Sequence, residues 1–268
     1  MPAVVYEKKG GIAYIILNRP EVHNALDAEV VVRLAEAWQD FADDDSLRVA
    51  IITGAGDRAF SSGADLRKLI PLMAGARQPG DEYEEKLMSN RRLISIALLR
   101  GFDLYKPIIA AINGYCLAGG TEIIQATDIR IAAQHATFGL TEVKRAIIPS
   151  GGSLVRLPRQ IPFCKAMEVL LVGDSMSAEE AHRIGLVNQV VSPGKLMEMA
   201  EEFAGKIAEN GPLAVRKIKE TVLKALGRPV NEGYALEDEA ARVIMGSEDA
   251  REGPRAFAEK RPPRYVGR

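Results

Sequence analysis

Three observations predict an α/β protein with a helical C-terminal part. Short apolar runs alternate with segments of helical spacing up to about Met197. Beyond that point four helical patterns follow in succession, with no convincing strand between them. The chain has 268 residues, 47% hydrophobic and 26% charged, an ordinary globular composition with length enough for one large domain or a domain with an appendage.

The elements follow in order. "VVYEKKGGIAYIILNRP" reads as two strands around a Lys9-Gly10-Gly11 turn. "DAEVVVRLAEAWQDFADDD" has helical spacing, with Asp27 as its N-cap and an acidic, exposed tail. "RVAIITG" is a strand, "EYEEKLMSNRRLISIALLRGF" one helix, and "KPIIAAING" a second strand. A helix then opens near Gly119, and "DIRIAA" is a further strand. Strands alternating with helices imply crossover connections. The closing helices are "LMEMAEEFAGKIAEN", "PLAVRKIKETVLKALG", "NEGYALEDEAARVIMG" and "EDAREGPRAFAEK". Pro71 to Asp81, rich in Pro, Gly and small residues, reads as a mobile loop. The basic run Arg216 to Lys219 reads as a solvated helix face.

Composition narrows the function. Lys and Arg number 35 against 36 Asp and Glu, so the excess positive charge of a nucleic-acid binder is missing. Cys116 and Cys164 are too few for a disulfide framework and do not form a metal spacing. The N-terminal stretch lacks a signal-peptide pattern, and no apolar run approaches the ~20 residues of a membrane span. The expected location is the cytoplasm, with no membrane partner.

Several motifs fail on context. "GAGDRA", Gly54 to Ala59, matches a dinucleotide fingerprint, but Ser61, Ser62 and Gly63 interrupt the helix that should follow. No phosphate loop or G-x-S-x-G elbow is present. His23, His135 and His182 are dispersed and lack metal-ligand spacing, so no metal is expected.

Two small-residue turns remain. In "INGYCLAGGTEIIQATDI", Gly119 and Gly120 sit directly ahead of Glu122, although glycine weakens a helix interior by roughly 1 kcal/mol relative to alanine. "AFSSGADL", Ala59 to Leu66, is a second such turn after a strand. "TFGLTEVKRAIIPSGG" places Glu142 after Thr141, a plausible N-cap, at a helix start. Taken singly, each has a structural explanation. Together they provide two unobstructed backbone N–H groups and two carboxylates. That set suits a thioester or carbonyl whose enolate oxygen is stabilised while protons move at neighbouring carbons.

In this combination the chain resembles the enoyl-CoA hydratase/isomerase (crotonase) superfamily. The resemblance runs through "LNRPEVHNAL", "ITGAGDRAFSSGADL", "KPIIAAINGYCLAGGTEIIQATDIRIA", "ATFGLTEVKRAIIPSGGSLVRLPR", "SAEEAHRIGLVNQVV" and "EGPRAFAEKRPPRYVG". It implies a spiral of repeated ββα units over residues 1–196, carrying the coenzyme A and catalytic sites. Residues 197–268 would form a helical region for trimerisation, giving a homotrimer or a hexamer of two trimers. The ligand would be an acyl-CoA, with coenzyme A part of the substrate and no separate cofactor. The Ala64 and Gly119 N–H groups would hold the thioester oxygen, and Glu122 and Glu142 would be the catalytic glutamates. Val22, His23 and Ala25, with Ser62, Gly63, Ala64, Asp65, Leu66 and Arg67, would line the coenzyme A groove. Phe257 and Lys260 would meet the nucleotide portion, in a neighbouring subunit or in their own.

The activity implied is hydration of a 2-enoyl-CoA. The same-fold alternative is an isomerase or another acyl-CoA transformation. A non-catalytic or RNA-binding member of the superfamily is opposed by the neutral charge and both retained glutamates. Two departures from the common hydratase pattern stand at the acyl end: Thr141 where Pro is usual, and "AIIPSGG" after "VKR". They leave branched, aromatic or steroid-like acyl groups open.

Overall fold

In the computed structural model, which describes residues 1–268, Gly10 and Gly11 turn the chain with φ of 59° and 79°, the paired left-handed geometry of a type I′ hairpin. The turn folds β1 (Val4–Lys9) onto β2 (Ile12–Leu17), with Val4 opposite Leu17 and Lys9 opposite Ile12. Asp27 caps α1 (Ala28–Asp43) by accepting the Val30 N–H.

After α1 the chain repeats one device. Each turn of the repeat gives a strand to a first sheet, a short strand to a second, and then a helical segment. The first repeat is β3 (Val49–Gly54), β4 (Ala59–Ser61) and the helices α2 (Leu69–Met73), α3 (Glu82–Ser89) and α4 (Arg92–Ala97). The second is β5 (Ile108–Ile112), β6 (Tyr115–Leu117) and α5 (Gly119–Ile124). The third is β7 (Ile129–Ala133), β8 (Thr137–Gly139) and a 3-10 turn over Glu142–Arg145. Then come α6 (Ser153–Gln160), α7 (Phe163–Val172), β9 (Met176–Ser177), α8 (Ala178–Arg183) and β10 (Gln189–Val191). The six-stranded sheet runs β1-β2-β3-β5-β7-β10 and the four-stranded one β4-β6-β8-β9. All pairings are parallel except β1 with β2 and β8 with β9.

The central strands are buried on both faces, which is why "VAIITG" and "IIAAI" read as continuous apolar runs. Ala50, Ile52, Ile108, Ala110 and Ile112 face the main core with Trp38 and Phe41 of α1. Their neighbours Val49, Ile51, Ile109 and Ala111 face Leu196, Ala200 and Ala204 of α9 (Leu196–Ala208). α10 (Pro212–Ala225), α11 (Val230–Met245) and α12 (Glu248–Ala258) complete the four expected C-terminal helices.

Three expectations need correction. The helix expected from Glu82 to Phe102 is two, because Asn90 adopts φ −138° and ψ 81°. Its side-chain oxygen accepts the Arg92 N–H, drawing the backbone out of the helix. Pro71 to Asp81 begins inside α2 and is tied down thereafter: Arg77 pairs with the buried Glu84, which also accepts the Gly80 N–H. The basic run on α10 is paired as well, through Arg216 with Asp45, Lys217 with Glu220 and Lys219 with Asp128. "GAGDRA" does bridge two strands instead of opening a helix, and the Asn113 side chain bonds both Gly54 and Gly56.

Candidate active site

Ala118 ends β6 with φ 48° and ψ −121°, a conformation that non-glycine residues rarely adopt. Its N–H donates to the Gly139 carbonyl, and the Thr121 hydroxyl donates to Cys116 and Gly139. These bonds hold the strained residue, so that Gly119 starts α5. The first N–H groups of a helix have no partner within it. Gly120 packs directly on β4: a Cβ there would lie 2.6 Å from the Ser61 carbonyl oxygen. Gly63 has φ +87°, and a Cβ on it would lie 2.9 Å from the Gly119 nitrogen. The glycines thus let the two turns approach backbone to backbone.

The Ala64 turn is held from the other side. Leu26 donates to the Gly63 carbonyl at 2.8 Å and Asp65 donates to the Leu26 carbonyl at 2.9 Å. This parallel bridge leaves the Ala64 N–H unused and pointing away from Leu26. The Ala64 nitrogen lies 3.7 Å from where a Gly119 Cβ would stand. Ala64 and Gly119 line one cavity with Glu122 and Glu142. Two N–H donors this close on one cavity wall have the chemistry to stabilise one developing oxyanion.

The two carboxylates are buried, Glu122 at 5% exposure and Glu142 at 8%. Glu122, in the first turn of α5, accepts the Ser153 N–H at 3.3 Å and an N–H from Gly151. Burial raises its pKa, and those N–H groups and the Arg156 charge oppose the rise. Glu142 opens the 3-10 turn, and its Oε2 is buried with no partner. Burial, and after it the Glu122 charge, pushes Glu142 up to about 7. Thr141 does not cap this turn as expected: its hydroxyl instead accepts from Arg145 at 3.3 Å. Gly151 is required beside Glu122, since a Cβ there would lie 2.5 Å from Oε2 and 2.6 Å from Leu98 Cδ1.

The cavity has a volume of about 1120 Å³, room for an extended ligand. Val22, Ala25, Ser62, Asp65, Leu66 and Arg67 line it as expected. His23 and Gly63 stand beside it: the His23 carbonyl accepts the Ser62 N–H, and its ring meets Tyr115 edge-on. Phe257 and Lys260 do not reach it within the protomer; they lie on and just after α12, with Phe257 86% exposed. His135 and His182 engage backbone carbonyls with their ring nitrogens. No group of three or more His, Cys, Asp or Glu residues could hold a metal ion, and no helix is long and apolar enough to cross a membrane.

Sequence reasoning passed over three supports. Arg19 donates to the Ala25 carbonyl and to Asp65, and pairs with Asp27, locking the two sides of the groove together. Asn24, with φ 54°, donates to the Ala55 and Ala59 carbonyls and accepts from the Arg19 N–H. Arg156 donates to the Leu98 and Leu99 carbonyls at the end of α4. Arg19 and Asn24 both occur in "LNRPEVHNAL", where two polar residues amid a turn were the available signal.

This fold and site define a family. Residues 7–268 match the sequence profile described as enoyl-CoA hydratase/isomerase. The chain is 40% identical to Enoyl-CoA hydratase EchA19 of Mycobacterium tuberculosis over 100% of its own length and 97% of that protein. It is 40% identical to (E)-benzylidenesuccinyl-CoA hydratase of Thauera aromatica, over 98% and 99% of the two chains. Carnitinyl-CoA dehydratase of Salmonella typhi is 41% identical, over 97% of each. A crystal structure of enoyl-CoA hydratase from Mycobacterium tuberculosis superposes with a TM-score of 0.89 at 39% identity, covering 100% of both chains. The chain belongs to the enoyl-CoA hydratase/isomerase family, and its two-sheet ββα spiral is the crotonase fold.

Proposed function

We propose that the protein hydrates a 2-enoyl-CoA to the 3-hydroxyacyl-CoA. One observation carries the reading: two buried glutamates line a single cavity together with the closely spaced backbones of Ala64 and Gly119. Glu122, whose N–H contacts and the Arg156 charge oppose the burial that raises its pKa, takes a proton from water as the hydroxyl bonds to C3. The C2–C3 π electrons move toward the thioester oxygen, which the Ala64 and Gly119 N–H groups hold. Glu142, kept protonated by burial, delivers its proton to C2. The enzyme is a hydro-lyase that needs no resident cofactor. The relatives' names span an enoyl-CoA, a benzylidenesuccinyl-CoA and a carnitinyl-CoA, so the acyl group is a separate question.

The decisive test follows the conjugated-thioester absorbance of crotonyl-CoA and of a longer 2-enoyl-CoA. Glu122→Gln and Glu142→Gln should each retain CoA-thioester binding while kcat falls roughly 10²- to 10⁴-fold. A loss of only a few-fold would refute the two-carboxylate assignment. Migration of a 3-enoyl double bond without any hydration would point instead to the isomerase branch of the family.

A homotrimer, or a hexamer of two trimers, is the proposed assembly. Neither α10 nor α11 has a buried residue in the protomer, which supports it. In that assembly Phe257 and Lys260 would serve a neighbouring subunit's groove. The cytoplasm is the proposed location.

A further inference from the structure

Arg100 and Arg145 line the cavity that holds the two glutamates, Arg156 stands close enough to act on Glu122, and none of the three is ion-paired. Arg145, on the turn that Glu142 opens, hydrogen-bonds only the carbonyl and hydroxyl oxygens of Thr141, each at 3.3 Å. Arg100, just beyond α4, donates to the Ser150 carbonyl at 2.9 Å. Ser150 precedes Gly151, whose missing side chain leaves room for Glu122. Arg156 donates to the Leu98 and Leu99 carbonyls at 3.1 and 2.5 Å. It lies behind Gly152, where a Cβ would stand 2.9 Å from its Nη1.

Their charges are felt at the site. Arg156 acts on Glu122, Arg145 on Glu142, and Arg100 on Arg156. Even with both glutamates ionised, three cations stand against two anions. Arg156 is committed to the end of α4, whereas Arg100 and Arg145 line the cavity and remain exposed. Ile94, Leu98, Ile147 and Ile148 add apolar surface to the same lining, beside the hydroxyls of Ser95, Thr141 and Ser150. A hydrocarbon tail would satisfy those four side chains and leave both guanidinium groups without an anion. A carboxylate can accept from either, in the charge-assisted geometry for which the guanidinium fork is suited.

We propose that the acyl group carries a carboxylate beyond its reacting double bond, and that Arg100 and Arg145 recognise it. The inference rests on the reading above only in taking the ligand to be an acyl-CoA with its reacting carbons at the glutamates. The substrate class is then the CoA monothioester of an unsaturated dicarboxylic acid.

Saturated thioesters test this without turnover. Calorimetry on the intact protein would compare glutaryl-CoA with pentanoyl-CoA and adipyl-CoA with hexanoyl-CoA. At least one carboxylated ligand of the two pairs should bind about tenfold tighter than its neutral partner, an advantage that shrinks as salt is raised. In Arg100→Gln/Arg145→Gln the affinity ratio should fall close to one, and in the Lys/Lys double variant part of it should return. Equal affinities in the unaltered protein, or an undiminished ratio in the Gln double variant, would overturn the inference. That failure would leave hydration of neutral enoyl-CoAs standing. Conversely, a retained ratio with no hydration of any enoyl-CoA would sink the hydratase reading and keep the carboxylate site.

Discussion

Glu142 shows what burial beside a second carboxylate does to a single residue. Burial and the Glu122 charge raise it from an ordinary 4.5 to about 7. Between those values the folded protein holds a proton that the unfolded chain has released. Stability contributed by this proton is fully present below pH 4.5 and is lost as pH rises through 7. A neutral amide removes the cost of ionising a buried group, so Glu142→Gln should raise the melting temperature relative to wild type at pH 8. The gain should vanish at pH 4. The rate responds in the opposite sense, since an acid that loses its proton near 7 should give kcat/KM an alkaline limb there. A melting difference independent of pH would contradict the shifted carboxyl. Both glutamates could be singled out in the sequence only in combination with the two small-residue turns, because each alone has a structural explanation at a helix start. Arg19 was not: its partner Asp65 is far along the chain, and only the fold brings the two within 3.2 Å.

Among the elements, length decided what could be read. β2, β3, β5 and β7 have five or six residues each, long enough to show an apolar run between turns. β4, β6 and β8 have three each, too few for any period, so the second sheet was invisible until the glycine turns could be seen to join it. The α3–α4 break was hidden for another reason: helical spacing continues through Asn90, and one side-chain bond outweighs it. The crossing from the first sheet to the second depends on Gly114, between β5 and β6. A Cβ there would lie 2.2 Å from the Arg58 carbonyl oxygen, a backbone atom that cannot rotate away. Gly114→Ala should destabilise by about 2–3 kcal/mol, lowering the apparent melting temperature by roughly 5–10 °C. Gly151→Ala is the contrasting case. Its clash is with Glu122 Oε2 and Leu98 Cδ1, both side-chain atoms able to shift, so it should lower kcat far more than stability. Paired melting curves and rates for the two variants check the distinction, and similar profiles would refute it.

The whole molecule is unevenly packed, and that unevenness argues for assembly. α9 completes the second face of the central sheet with Leu196, Ala200 and Ala204. The next two helices, of 14 and 16 residues, have no fully buried residue in the protomer. Ile218 and Val230 are each 66% exposed, and Leu226 59%. A helix isolated in water gains little beyond its intrinsic propensity, and most helical stability in proteins comes from burying an apolar face. Those side chains therefore call for a surface that this protomer does not supply, and further copies of the chain would provide one. The apolar spacing was readable in the sequence, but whether its cover lay inside the chain became visible only once the sheet was seen to be filled by α9. Light scattering on the unaltered protein should give three or six times the protomer mass. Leu226→Asp/Val230→Asp puts a charge at each of two apolar positions, which should shift the mass toward the protomer and lower the melting temperature. Because Phe257 and Lys260 lie outside the protomer's own cavity, the dissociated form should also bind acyl-CoA more weakly even with Glu122 and Glu142 intact. A monomeric wild type would overturn the assembly. A dissociated variant with undiminished acyl-CoA affinity would show that each groove is complete within one chain.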